Sequence, residues 1–320
     1  MSKIKFVLSL ITRENDYQRE QAKAAEGVAD RLNVDLEILY ADSDSVTQSS
    51  QLLDAIHKRK SELSGIMVEP AGGTAFPQVG RAAVNAGIAW VVLNLYADSI
   101  IALRGGSSAT SFAVSSDHAE VGRIQAQQLA AILPQGGTVL CIQGPSASLA
   151  AQQRMIGLQE AKPSNITLKM LKSANWTEDG GRHAVSSWLR LTTSHHQQIH
   201  AVAAQNDFIA LGARKAFEEI AAAPEAAHWA GLPFLGVDGL ARTGQAWVNG
   251  GSLTATVVVP AVAGSALEMA VAALSTKTQP PELRLVPAHS FPSLDSLRPV
   301  PVQQHRGPGS ANRPAEQAKT

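Results

Sequence analysis

Polar side chains recur in this chain at the points where apolar runs end. The run Ala201–Ala204 stops at Gln205, Asn206 and Asp207, and helical spacing follows at Phe208, Leu211 and Ala216. That pattern predicts a buried strand running straight into a helix amino end. In an open α/β sheet such an edge is where small ligands sit. An amide both donates and accepts hydrogen bonds, and a carboxylate accepts several. The pair therefore suits the hydroxyls of a sugar or polyol, and the same residue types also cap helices. The pattern repeats along the chain. Ser9, Thr12, Arg13 and Asn15 follow Ile4–Leu10, Asn94 ends Ala89–Leu95, and Gln143 follows Thr138–Ile142. Asn175 and Trp176 follow Ile166–Leu171, and Asp238 follows Pro233–Gly236. Six such groups in register on one sheet edge are hard to explain by capping alone. Trp176 adds a ring face, which either stacks on the C–H face of a sugar or packs in a core. Trp90, Trp188 and Trp247 lie within apolar or helical patterns and read as core.

Catalytic patterns are missing. The sequence contains no G-x-S-x-G, no G-x-x-x-x-G-K, and no G-x-G-x-x-G after the first strand. His195, His196 and His200 cluster in a polar turn without a carboxylate or cysteine at zinc spacing, so a solvated loop is expected there. Cys141 sits in the run Thr138–Ile142 and reads as a buried strand thiol. No cofactor, metal or catalytic residue is expected. The 27 basic and 27 acidic residues balance, which argues against nucleic acid or an anionic membrane surface as a partner. No apolar run reaches the roughly 18 residues of a membrane span, so no direct insertion is expected. Strand-like sequence follows Met1 almost at once, with no charged leader or cleavage site. As written, the expectation is a cytoplasmic protein; a start lying further upstream would make it periplasmic.

The elements that position these groups alternate strictly. Strands are predicted at Ile4–Leu10, Leu36–Tyr40, Gly65–Val68 and Ala89–Leu95, with helices at Glu14–Leu32, Val46–Lys60 and Val79–Ala86. Ser107–Ser111 reads as a polar loop and Phe112–Val114 as a short strand. After a break near residue 115, Asp117 is placed to cap a helix at His118–Leu133. A second series follows, with strands at Thr138–Ile142, Ile166–Leu171, Ile199–Ala203 and Pro233–Gly236. Its helices fall at Leu149–Glu160, Asp179–Leu191, Asp207–Ile220 and Leu240–Trp247. Alternation of this kind requires parallel sheets covered on both faces. The expected fold is α/β, two Rossmann-like doubly wound lobes with a ligand cleft between them. Residues 1–114 plus about 259–282 make the first lobe, and 115–258 plus about 283–295 the second. Residues 299–320, polar and rich in Pro, Gly and Gln, are expected to be a disordered tail.

From about Ile4 to Leu274 the chain resembles the type I periplasmic-binding-protein family, in particular its ribose- and sugar-binding members. The resemblance is carried by KFVLSL, SGIMVEPAGGTAF, AGIAWVVLN, VSSDHAEVGRIQAQQL, IQGPSASLAAQQRMIGL, AVAAQNDFIALGARKAF, FLGVDGLARTG and GSLTATVVVP in combination. It implies two lobes joined by three crossings, with the ligand between them. It also implies roles: Asn206 and Asp238 for sugar hydroxyls, Trp176 for ring stacking, Ser9 and the loop Arg13–Tyr17, with Asn15 and Tyr17, for the first-lobe ligand loop. Asn94 matches a position that is commonly Asp, and Asp117 matches a structural hinge residue. Departures from the pattern concern ligand choice. Gln152 stands where sugar binders place a ligand arginine, while Arg154 fits the motif's more structural arginine. Leu95, Val237 and Val259 replace polar, aromatic and glutamine positions. The resemblance so implies a pocket for a ligand less polar than ribose or differently charged. It implies a non-catalytic solute-binding component of an ABC importer, partnered by its permease. The alternative is a cytoplasmic ligand sensor signalling to a kinase or transcriptional regulator.

Overall fold

The computed structural model describes residues 3–72, 76–95, 99–173, 175–191, 198–221, 229 and 231–300. The first series runs β1 (Lys5–Leu10), α1 (Asp16–Leu32), β2 (Asp35–Tyr40), α2 (Ser45–Arg59), β3 (Gly65–Val68), α3 (Pro77–Asn85), β4 (Ala89–Leu93), α4 (Ser99–Gly106) and β5 (Ser111–Ser116). The second runs α5 (His118–Ile132), β6 (Gly137–Gln143), α6 (Leu149–Ala161), β7 (Ile166–Lys172), α7 (Glu178–Leu189), β8 (Ala201–Ala204), α8 (Asp207–Ala221), β9 (Phe234–Asp238), α9 (Gly244–Asn249) and β10 (Ala255–Val258). The chain then forms α10 (Ala263–Thr276), β11 (Leu283–Val286) and β12 (His289–Phe291).

These strands build two sheets of six. The first has the order β11-β5-β4-β3-β1-β2 and the second β12-β10-β9-β8-β6-β7. Every pair is parallel except β10 with β12. Successive side chains leave a strand on opposite faces, and each sheet has a core on both. In the first lobe Val7, Ile66, Trp90 and Val92 pack toward Leu52, Val79 and Leu103 of α2, α3 and α4. Phe6, Leu8, Met67 and Val91 pack the other way, onto Ala25 of α1 and Leu267 of α10. In the second lobe Leu140 and Val202 face α7 and α8, while Val139 and Cys141 face α5 and α6. Trp90 and Trp188 are buried core residues and Trp247 packs against the second core, as their patterns predict.

The helix pairs of the second lobe approach closely through glycines. A Cβ at Gly122 would collide with the Arg154 carbonyl, and one at Gly157 with the Ala119 carbonyl, which holds α5 against α6. Asp117 caps α5 by accepting from the Glu120 N–H at 2.9 Å, as predicted. Helix α10 has no side-chain cap of its own; Gln21 of α1 supplies it, its Oε1 accepting from the N–H groups of Val262 and Ala263.

The chain passes between lobes three times: after β5, after β10, and between β11 and β12. The third crossing corrects the expected boundary. Leu283–Val286 was assigned to the second lobe, but it pairs in parallel with β5 and closes the first sheet. Within the stretch 283–295, β12 is the strand that joins the second sheet. Helix α4 is also additional: Ser99–Gly106 precedes the polar loop, and its Ile100 and Leu103 enter the first core. The helix expected at Leu240–Trp247 begins later, at Gly244. His195 and His196 and the expected tail beyond residue 300 lie outside the described residues.

Candidate functional site

The carboxyl ends of the parallel strands of both sheets line a shared cleft of about 540 Å³. From the first lobe Asn15, Tyr17, Glu69 and Asn94 line it; from the second come Arg154, Trp176, Asn206 and Asp238. His118, immediately after the first crossing, lines it as well.

Each group is set by its element. Asn15 caps α1, its Oδ1 accepting from the Tyr17 N–H at 2.8 Å, which starts the helix at the cleft edge. Tyr17 ties the first lobe to the second crossing: its hydroxyl donates to the Pro260 carbonyl at 3.2 Å and accepts from Asn94 Nδ2 at 3.2 Å. Asn94 directly follows β4 with φ 54 and Asp238 ends β9 with φ 103. Both are backbone conformations that L-residues rarely adopt, and they occur here at the cleft. Glu69 follows four buried residues of β3. Arg154 is buried, places Nη2 3.6 Å from Asp238 Oδ1, donates to the Gln205 carbonyl, and lies 5.7 Å from the Trp176 ring centre.

Burial dominates the electrostatics. It pushes the Glu69 carboxyl up to about 7; amides of Asn94 and Gln18 offset part of that, and the Asp238 charge adds to it. Asp238 is pushed up to about 6 by burial, with Arg154 opposing. Burial, then the Arg154 charge, pulls His118 down to about 3, so its ring is neutral and offers one donor and one acceptor. Burial and the Glu69 charge raise Tyr17. Several of these groups are unpartnered among the described residues: Glu69 Oε2, Asn94 Oδ1, both His118 nitrogens and Arg154 Nε. Buried polar atoms without partners are costly, and these five, contributed by both lobes, line the same cleft.

Six of the nine residues expected at the site line the cleft: Asn15, Tyr17, Asn94, Trp176, Asn206 and Asp238. The other three are elsewhere. Ser9 is fully buried beneath it, its hydroxyl accepting from Gln48 Nε2 at 3.0 Å. Arg13 is exposed and stacks on Tyr40, 4.6 Å from the ring centre. Gln152 is exposed and donates to the Ser146 carbonyl at 2.8 Å. Two residues along a helix is a rotation of about 200°, so Gln152 and Arg154 cannot share a face, and it is Arg154 that turns inward. The pair Asn206-Asp207 also divides. Asn206 accepts from the Ile209 N–H at 2.8 Å and donates to the Trp176 carbonyl at 3.0 Å, so it caps α8 while forming cleft wall. Asp207 points into the lobe, accepting from the Gly239 N–H at 2.8 Å and the Thr256 hydroxyl at 2.6 Å.

Sequence reading missed Glu69, His118 and the inward role of Arg154. Glu69 carried the same signal as Asn94, a polar residue closing an apolar run. Nothing in the spacing marks His118. Among the described residues no group of His, Cys, Asp and Glu could hold a metal ion, and no helix is long and apolar enough to cross a membrane.

Two doubly wound lobes around a polar, partly unsatisfied cleft define a two-lobe binding protein of the type I class. The chain belongs to the periplasmic binding protein family: the profile described as a periplasmic binding protein domain matches residues 6–278. The D-ribose/D-allose-binding protein of Pseudomonas aeruginosa is 28% identical over 209 residues, 65% of this chain and 60% of that protein. The xylitol-binding protein of Mycolicibacterium smegmatis is 29% identical over 211 residues, covering 65% and 54%. The match thus spans little more than half the length of these relatives. An ABC-transporter periplasmic solute-binding protein from Actinobacillus succinogenes, solved with bound D-allose, shares the fold at TM-score 0.75 and 22% identity, over 90% of this chain and 97% of that one.

Proposed function

We propose that this chain is a solute-binding protein that encloses a small sugar-like or polyol ligand between its lobes and delivers it, unchanged, to an ABC permease. The observation that carries the reading is the set of unpartnered polar atoms on facing walls of the cleft, beside the Trp176 ring. Ligand hydroxyls would satisfy them, and the ring face suits C–H groups. The names of the relatives, a ribose/allose binder and a xylitol binder, support the ligand class, and the import role named for a ribose-binding relative in Escherichia coli favours capture and delivery over sensing. On this reading the protein works outside the cytoplasmic membrane.

The test is a thermal-shift and calorimetric panel containing D-ribose, D-allose, xylitol and related polyols. A ligand at a hundredfold excess over its Kd stabilises the native state by about 2.7 kcal/mol. The expected result is a saturable shift for at least one member, with the compound recovered intact by mass spectrometry. No shift across the panel, or conversion of the bound compound, overturns the reading.

A further inference from the structure

The two walls of the cleft differ in charge balance. On the second lobe the Asp238 carboxylate faces the Arg154 guanidinium at 3.6 Å, and at the rim Glu178 pairs with Lys215. On the first lobe Glu69 is buried and has no basic partner among the described residues; the groups acting on it are amides of Asn94, Gln18 and Gln21, and the like charge of Asp238. Tyr17 shares its wall, with the hydroxyl proton already given to Pro260. Gln48, from α2, donates to the Glu69 backbone carbonyl and leaves the carboxyl alone. His118 is neutral. With Glu69 ionised, two acceptors therefore stay unmet on this wall, Glu69 Oε2 and Asn94 Oδ1, and the first bears a charge.

A hydroxyl donates once and brings no charge. An ammonium donates three times, accepts nothing and is cationic. We infer that the ligand is an amino-polyol or amino sugar whose ammonium group seats against Glu69 and the Asn94 carbonyl oxygen, while its hydroxyls face Arg154, Asp238 and His118. The inference rests on the solute-binding reading above and narrows its ligand class. It matches acceptor with donor on the first wall and leaves each buried charge with an opposite one: Glu69 with the ligand, Asp238 with Arg154. A neutral polyol would leave Glu69 to be satisfied by a proton instead.

The two cases have opposite pH dependence. An ammonium ligand needs the carboxylate, so its affinity rises as pH passes upward through the range where Glu69 titrates, about 7. A neutral ligand that relies on protonated Glu69 loses affinity over the same interval. Asp238, at about 6 and held by Arg154, titrates lower, and His118 lower still.

The experiment is calorimetric titration with 1-amino-1-deoxy-D-sorbitol against D-sorbitol, and D-glucosamine against D-glucose, at pH 6 and pH 8. The expected result is at least about tenfold tighter binding of the amine in one pair, the difference expected for a charge-assisted bond. For the amino-sorbitol pair the ratio should widen at pH 8. In Glu69→Gln the ratio should collapse toward one. A neutral member that binds as tightly as its amine overturns the inference and leaves the solute-binding reading standing. An amine preference that persists unchanged in folded Glu69→Gln also overturns it. If no member of either pair binds while D-ribose, D-allose or xylitol does, the inference falls alone; if nothing binds, both fall.

Discussion

Glu69 makes the ligand-free protein pH-sensitive in a direction that can be worked out. A carboxyl whose pKa is higher folded than unfolded binds its proton more tightly in the native state, so stability falls as pH rises between the two values. For Glu69 that interval runs from 4.5 to about 7. Glu69→Gln should therefore be more stable than the parent by about 1–3 kcal/mol at pH 8, with the difference vanishing below pH 4.5, in urea titrations without ligand. Asp238 is raised too, to about 6 with Arg154 already opposing the shift, so its ionised form also lowers native stability as pH rises from 3.8 to about 6. Asp238→Asn should therefore keep or gain apo stability at pH 8 in urea titrations, while binding at least about tenfold more weakly because a charge-assisted contact is lost. A loss of apo stability above pH 6 would show that the Arg154 pair outweighs the burial of the carboxylate. Arg13→Ala and Gln152→Ala sit outside the cleft and should change affinity by less than about twofold by titration. Residue types at strand ends were legible: polar side chains closing apolar runs pointed to Asn15, Asn94, Asn206 and Asp238, with Trp176 beside another, while Tyr17 came from the family resemblance alone. Which way each one points was not, because Asn206 and Asp207, or Gln152 and Arg154, differ in direction and not in composition.

Helix α6 shows how an element positions a single group. Ser148 caps its start, accepting from the Ala151 N–H, and Gly157 lets its backbone touch α5. Arg154 lies one turn before that contact, so its approach to the cleft depends on the close packing. Gly157→Ala would force the helices apart. Overpacking of this kind costs about 1–3 kcal/mol and sometimes more. The expected outcome is a lower apo melting temperature together with weaker binding, measured by calorimetry, although residue 157 lies outside the cleft lining. Unchanged affinity in the folded variant would detach Arg154 from this packing. Most elements were legible from hydrophobic period alone, since buried parallel strands alternate with one-sided helices. Helix α4 escaped because Gly105 and Gly106 close it and only eight residues express its pattern. Strand β11 falls in the stretch expected in the second lobe yet joins the first sheet: its four residues, Leu283–Val286, partly or fully exposed, carry no period that names a partner.

At the scale of the whole molecule, Tyr17 links the first lobe to the crossing at Pro260, and His118 opens α5 immediately after the crossing that follows β5. The cleft is thus wired to the segments about which the lobes can move. A ligand bridging both walls should close them, and small-angle scattering of protein with its ligand should give a smaller radius of gyration than protein alone. An unchanged radius at saturation would mean that the lobes are already closed. That the chain forms two lobes with a cleft was legible from the doubled alternation. The lobe boundary near its end was not, since pairing between distant strands leaves no local mark.

That last crossing has a consequence for the order in which the protein is made. Residues 283–291 supply an edge strand to each sheet, β11 beside β5 and β12 beside β10. During synthesis the ribosome must pass residue 291 before either sheet can be completed, although the strands they cover were made long before. Until then β5 and β10 present open edges, the kind that recruit strands from other chains. A chain ended at residue 282 should consequently accumulate as aggregate and bind nothing. Adding residues 283–291 back in trans as a peptide should rescue solubility partly, as followed by sedimentation. A soluble, binding-competent chain ending at 282 would show that the nascent lobes have no need of their final stitch.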